Sequence, residues 1–456
     1  MKATDDLFLL VQSLTKTEKR YFKVQTLSVI GNKEMGVLFD EISKQKVYDE
    51  TKIKKRLENI TFIKKHFALA KHRLYFLILK TLIPFYSTIE LELNNQIAIA
   101  KILIDKGHYQ QSRKVLEKAK KIAVKNELFY HLLMIVSKLE KNFFRTHLKN
   151  YYHKTYKEKK AIIEKINIMD SVAYVDLQFF HHYYKEIGFR KKEGYKKLED
   201  ILTSGMIEES KKNWPNAAKI RYYNMYASYH LRKGNLIKSY NHYRDLIHLC
   251  EKTEGYITRE PDAYINYLGN YCYRLFLLNK GAEYHCHLTK LKELPYRIKE
   301  TNTENLKIQI FTVSHSVEFS YFLHIGDFKS IVDKSNEIES GIKKFGAKIN
   351  STHLLVFYFS IAYANFGIGN FNQVITWINK IFNSRMFEQS TNILVVSKLL
   401  FIITHFELNN FEFIQYNIRS AFRFLFKRKK VYKTEMFIMR FIKNKMPKIN
   451  SRAELT

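Results

Sequence analysis

A glycine or asparagine followed within one to three residues by an aromatic side chain or leucine recurs through most of this chain. The sites are Gly107-His108-Tyr109, Asn150-Tyr151, Gly194-Tyr195, Gly234-Asn235-Leu236, Gly281-Ala282-Glu283-Tyr284, Gly326-Asp327-Phe328, Gly369-Asn370-Phe371 and Asn410-Phe411, with successive sites 40 to 47 residues apart. Long segments of helical apolar periodicity flank each site. A period of that length, broken by residues that tolerate a left-handed backbone, is the pattern of stacked helical hairpins. The chain therefore reads as all-α, a right-handed α-solenoid of about eight helical hairpins behind a small N-terminal helical module. Residues 1–90 form that basic module, 91–416 the repeats, and 417–456 a basic capping helix and tail.

Five prolines and fifteen glycines in 456 residues leave helices free to run long. Pro215 and Pro261 stand where helices begin, Pro84 closes the N-terminal region, and Pro447 ends the last helix. Within the module, a first helix spans about residues 5–14. Thr15 and Glu18 form a capping box that opens the second. After Gly31-Asn32, Met35, Leu38, Phe39 and Ile42 share one face; a further helix opens near Asp49 or Thr51 with Ile53, Leu57 and Ile60, and residues 67–85 complete the set. In the fourth hairpin, Gly234 supplies the left-handed cap and Asn235 caps the helix that follows.

The spacing around these turns resembles the tetratricopeptide-like helical repeat. That family carries a small residue seven before the turn glycine, an aromatic two after and a small residue five after, and Ala227, Gly234, Leu236 and Ser239 fit this pattern. Ala100, Gly107, Tyr109 and Ser112 do the same. Ala362, Gly369, Phe371 and Val374 fit less closely, and Phe319 and Ile331 put large side chains at both small positions around Gly326. The period is longer than that family's usual one, and its closing proline is absent. The resemblance covers about residues 91–430 and implies a curved solenoid whose inner face binds other macromolecules, without naming ligand residues.

Seventy-seven lysines and arginines against 44 acids give a formal net charge of +33. Such an excess makes polyanions the first partners to consider, nucleic acid at their head. Its strongest local concentration is residues 419–448, eleven basic residues and one acid. There Arg419, Arg423, Lys427 and Lys430 make one helical stripe beside Phe422, Phe426, Tyr432 and Phe437. Cations at that pitch suit a phosphate backbone. The competing reading is a solvated end cap, and basic amphipathic helices also bind acidic proteins and membrane surfaces.

A second concentration lies in the module. Lys44, Lys46, Lys52, Lys54, Lys55, Arg56, Lys64, Lys65, Lys71, Arg73 and Lys80 face Asp49, Glu50 and Glu58. Lys54, Lys55, Arg56, Lys64, Lys65, Lys71 and Arg73 are the candidate nucleic-acid contacts here, and the short helices loosely suggest a helix-turn-helix. Basic residues also alternate with aromatics at Arg145 to Lys160 and His181 to Lys192. Such rings can stack bases, though tyrosines of repeats more commonly pack between helices.

No H-E-x-x-H, G-x-G-x-x-G, Walker-type loop or G-x-S-x-G is present, so no catalytic residue, metal ligand or cofactor is assigned and the chain is read as non-enzymatic. Consecutive His285-Cys286-His287 with Cys272 point about 100° apart on a helix and do not converge on one ion. Cys250, Cys272 and Cys286 follow no disulfide spacing, and the acidic N-terminus shows no secretory signal, which together suggest a cytoplasmic protein. Apolar stretches at 354–369 and 393–408 are shorter than a membrane span and read as buried repeat helices. The expected role is a scaffold or adaptor for an acidic macromolecule, RNA, DNA or a nucleoprotein. The alternatives are a protein- or peptide-binding repeat module and a DNA-binding regulator with an N-terminal reading head.

Overall fold

The computed structural model describes residues 5–27, 33–86, 88–145, 151–185, 192–204, 211–297, 303–383 and 391–410, with Phe437 and Arg440. It is all-α, and among the described residues there is no strand. The chain divides into two compact units, residues 1–120 with 144–147, and residues 121–143 with 148–456.

The first unit contains α1 (Asp6–Ser13), α2 (Lys16–Leu27), α3 (Lys33–Ser43), α4 (Glu50–Arg56), α5 (Thr61–Lys65), α6 (Phe67–Leu82), α7 (Ile89–Asp105) and most of α8 (Tyr109–Lys125). Its core gathers one side chain per helical turn from each element: Leu7 and Val11 of α1, Phe22 of α2, Met35, Leu38, Phe39 and Ile42 of α3, Ile53 of α4 and Ile63 of α5. All are 6% exposed or less, and they surround Phe67, Ala70, Leu74, Ile78 and Leu82 of α6. The capping box forms as its residues dictate. Thr15 N–H donates to Glu18 Oε2 at 2.5 Å, and Glu18 N–H donates to Thr15 Oγ1 at 3.3 Å. Glu18 also accepts from the Tyr86 hydroxyl, which ties the cap to the chain beyond α6.

The second unit continues with α9 (Phe129–Arg145), α10 (Tyr151–Lys185), α11 (Lys192–Ser204), α12 (Asn216–Arg232), α13 (Leu236–Lys252), α14 (Tyr256–Arg259), α15 (Pro261–Leu277) and α16 (Gly281–Arg297). After these come α17 (Glu304–Ile325), α18 (Phe328–Asp333), α19 (Ser335–Phe345), α20 (Ser351–Gly367), α21 (Phe371–Phe382) and α22 (Thr391–Glu407). Helix pairs α12/α13, α15/α16 and α20/α21 pack as hairpins. Helices α15, α17, α20 and α22 also contact in succession. The apolar stretch 354–369 falls on α20, whose Leu354, Leu355, Phe357, Ile361, Ala362 and Ala364 are buried among its neighbours. A helix apolar on several sides is what a central position between two repeats demands.

Among the described residues, seven inter-helix turns share one geometry. A left-handed residue is followed by one whose N–H donates to the carbonyl five residues back, at 2.8 to 2.9 Å. The left-handed residues are Gly107, Glu127, Gly234, Asn279, Gly326, Gly369 and Asn409. This is the paired-bond helix stop that closes the orphan carbonyls of a helix end. Four of the expected glycines hold it. Three expected sites are corrected. Gly194 lies inside α11, Gly281 is the first residue of α16 with Asn279 making the turn, and Asn409 rather than Asn410 takes the left-handed backbone. Asparagine tolerates that conformation because its short polar side chain satisfies nearby backbone groups. Asn150 lies outside the described residues, and α10 then runs 35 residues without a break, so the period of about 43 lapses across this stretch.

The small residues flanking the turns meet across the hairpins. Ser239 Oγ donates to Ala227 O at 2.7 Å and Ser112 Oγ donates to Ala100 O at 3.0 Å, all four side chains fully buried. A short side chain on each helix brings the backbones close enough for that bond. At the departing repeat, Phe319 and Ile331 are also fully buried, so the same positions are filled by bulk in place of close approach.

Candidate polyanion interface

The cations of the first unit arise from where its short helices end. Lys54, Lys55 and Arg56 occupy the last turn of α4, and Lys64 and Lys65 the last turn of α5, where positive charge opposes the negative end of the helix dipole. Their placement is thus explained locally before any partner is considered. What separates them is which ones already have a carboxylate.

Glu50, the first residue of α4, organises one cluster. Its Oε1 lies 2.8 Å from Lys54 Nζ, and its Oε2 is 2.7 Å from Lys71 Nζ and 3.1 Å from the Tyr48 hydroxyl. Burial works to raise this carboxyl, but the hydrogen bonds from Lys54, Lys71 and Tyr48 outweigh it and bring its pKa down to about 2. Burial likewise works against the charge on Lys71, and its bonds to Glu50 and Tyr48 reverse the sign and raise its pKa. Lys71 further lies over the rings of Tyr48 and Phe67, and Lys54 over Phe67 at 5.0 Å. Glu41 holds a second cluster, accepting from Lys44 at 2.7 Å and Arg56 at 3.0 Å, and those two bonds lower its pKa.

Of the seven candidates in this unit, Lys54, Arg56 and Lys71 are therefore engaged with acids of their own fold. Arg73 sits with its guanidinium 4.9 Å from the centre of the Phe62 ring. Lys55, Lys64 and Lys65 are exposed and have no carboxylate partner among the described residues. Sequence could not make this division, because Glu41 and Glu50 reach partners 15 and 21 residues away. Arg419, Arg423, Lys427 and Lys430 lie outside the described residues.

The aromatic and basic interleaving resolves into packing on one side and exposure on the other. Along α10, Tyr156 and Tyr174 are well exposed, while Phe179 is fully buried and forms a chain of ring contacts with Phe180 and Tyr183. Arg232 of α12 covers Tyr183, with its centre 5.1 Å from the ring and Nη1 donating to the Tyr183 carbonyl at 2.7 Å. A row that the sequence pattern did not single out joins α12 to α13: Tyr222, Tyr223, Tyr226 and His230 all contact His242, and the two imidazoles are parallel at 5.4 Å. Desolvation first, then the nearby Lys238 and Lys233, lower the His230 pKa and favour a neutral ring.

His285, Cys286 and His287 point apart on α16. His285 packs on Tyr284 and Tyr321, His287 Nδ1 lies 2.9 Å from Glu283 O, Cys286 is exposed and Cys272 is buried. Burial pushes the Cys272 thiol up to about 12 and the Cys250 thiol higher still. Among the described residues, no helix is long and apolar enough to cross a membrane. No protein family matches the chain, and no curated protein matches it.

Proposed function

We propose that this chain is a non-enzymatic helical-repeat scaffold or adaptor, a right-handed solenoid of about eight hairpins, that engages an acidic macromolecule in the cytoplasm. Nucleic acid or a nucleoprotein is the partner class that its charge favours. The observation that carries the reading is the set Lys55, Lys64 and Lys65, exposed at helix ends and unmatched by described carboxylates, in a chain whose formal charge is +33. Cations already paired to their own fold release few counterions on binding, whereas solvated ones exchange freely for phosphate. The basic stripe of Arg419, Arg423, Lys427 and Lys430 would extend the same surface chemistry at the other end of the sequence.

The test is a salt titration of binding to labelled mixed-sequence RNA and DNA by purified full-length chain stripped of nucleic acid. Binding should weaken steeply with salt, and each phosphate contact removed should flatten the log–log slope by roughly 0.7 to 0.9. Changing Lys55, Lys64 and Lys65 together to glutamine should therefore flatten it by roughly two to three. Replacing Lys71 alone should act on the stability of the first unit instead. An unaltered slope in both the triple variant and the quadruple C-terminal variant would sink the proposal. Retention of a single duplex sequence would favour a DNA-reading regulator.

A further inference from the structure

Helix α6 is apolar on two sides. Phe67, Ala70, Leu74, Ile78 and Leu82 fill the core of the first unit, yet Leu69, Phe76, Leu79 and Ile83 on the other side are 43%, 46%, 36% and 52% exposed. At about 100° per residue, these four with His72, Arg73 and Lys80 fall within roughly a third of the helix circumference. They form one stripe. Its spacing is a heptad, with Leu69, Phe76 and Ile83 at the first position, His72 and Leu79 at the fourth, and Arg73 and Lys80 at the fifth. An exposed row of that kind marks an interaction surface, because a helix that needs one apolar face to fold has no structural use for a second.

We infer that this stripe is the docking site for an amphipathic helix of a partner protein whose edge carries glutamate or aspartate. Charge decides the occupant. Residues 67–86 contain no acid, and Arg73 and Lys80 both flank the seam on the same side without a carboxylate partner among the described residues. A second copy of the chain does not supply the missing acids. Antiparallel pairing sets the fifth positions of two copies against each other, Arg73 and Lys80 against their equivalents, while parallel pairing sets them against Tyr75 and Leu82. A helix with acids at those edges satisfies both cations and covers the four apolar side chains. This inference rests on the apolar row with Arg73 and Lys80; it shares Arg73 with the candidate nucleic-acid contacts but does not depend on Lys55, Lys64 or Lys65, which carry the polyanion reading.

The probe is a labelled three-heptad helical peptide with leucine at the seam positions and glutamate at both edges, titrated by anisotropy with full-length chain; its lysine-edged counterpart is the control. The glutamate peptide should bind and the lysine peptide should not. The double change Phe76→Ser with Ile83→Ser alters only exposed side chains and should weaken binding at least tenfold with unchanged circular dichroism. Arg73→Glu with Lys80→Glu should reverse the preference between the peptides. Equal binding of both peptides, no binding of the glutamate peptide at 100 µM, or indifference to both double variants would overturn the inference. So would loss, in the serine variant, of self-association measured by sedimentation or of binding to anionic phospholipid vesicles, in place of loss of peptide binding.

Discussion

Ser239 shows what a single small residue does in a repeat of this kind. Its hydroxyl donates to Ala227 O across the hairpin and lies 3.2 Å from Arg274 Nε, a guanidinium that is 3% exposed and stacked over Tyr243 at 4.3 Å. Arg274 also donates to the Asn270 backbone carbonyl at 2.7 Å and to the Asn270 side-chain oxygen at 3.4 Å, and no described carboxylate pairs with it. A buried cation held by neutral acceptors loses heavily when one is removed, because water cannot take its place. Ser239→Ala should therefore cost about 1 to 3 kcal/mol. Ser112→Ala removes a similar hairpin bond without stranding a charge, and should cost less. Urea denaturation followed by circular dichroism checks both, and equal midpoint shifts for the two variants would remove Arg274 from the explanation.

At the scale of elements, α4 is held to α6 by Glu50, whose carboxyl is stabilised in the folded state relative to its ordinary value of 4.5. The sign follows from linkage. A carboxyl whose folded pKa is depressed contributes stability that is present above its unfolded pKa and disappears as pH falls through the folded one. Wild type should exceed Glu50→Gln in thermal stability at neutral pH, and the gap should close between pH 4.5 and about 2. Melting curves across that window check it; a gap that stays constant would mean that Glu50 acts through packing alone. The surrounding elements were largely legible in advance. Met35, Leu38, Phe39 and Ile42 bury the face that their spacing draws, and the Thr15 and Glu18 box caps α2, because both effects are local to a few residues. The turns at Gly107, Gly234, Gly326 and Gly369 are legible, whereas the left-handed Gly255 and Gly346 fall outside the repeat spacing, Gly194 lies inside α11, and at Asn279 and Asn409 a left-handed asparagine looks like any polar loop residue. Glu127 gave no signal at all, because nothing in a glutamate announces a positive φ of 53°. The division of the basic candidates into paired and solvated groups was equally hidden, since it depends on tertiary partners such as Lys71 with Glu50.

For the molecule as a whole, a formal charge of +33 makes folding and binding respond to salt in opposite directions. Alone, the folded chain concentrates like charges that the unfolded chain spreads apart, so self-repulsion lowers its stability, and screening relieves it as the Debye length falls from about 30 Å at 0.01 M to about 10 Å at 0.1 M. Described ion pairs that join two exposed side chains, such as Lys101 with Asp105 and Arg297 with Glu293, oppose this trend only weakly, because such pairs contribute about 0 to 1 kcal/mol each. Melting temperature should therefore rise between 10 and 100 mM salt for the free chain. A polyanion that binds the folded state should have the reverse profile, raising the melting temperature most at 10 mM through mass action and progressively less as salt competes for the phosphates. The two curves should converge near the salt at which the direct titration shows binding to fail. Were the free chain to lose stability with added salt, its surface charges would have to be mutually attractive in the fold, and the excess of solvated cations on which a polyanion partner depends would be absent.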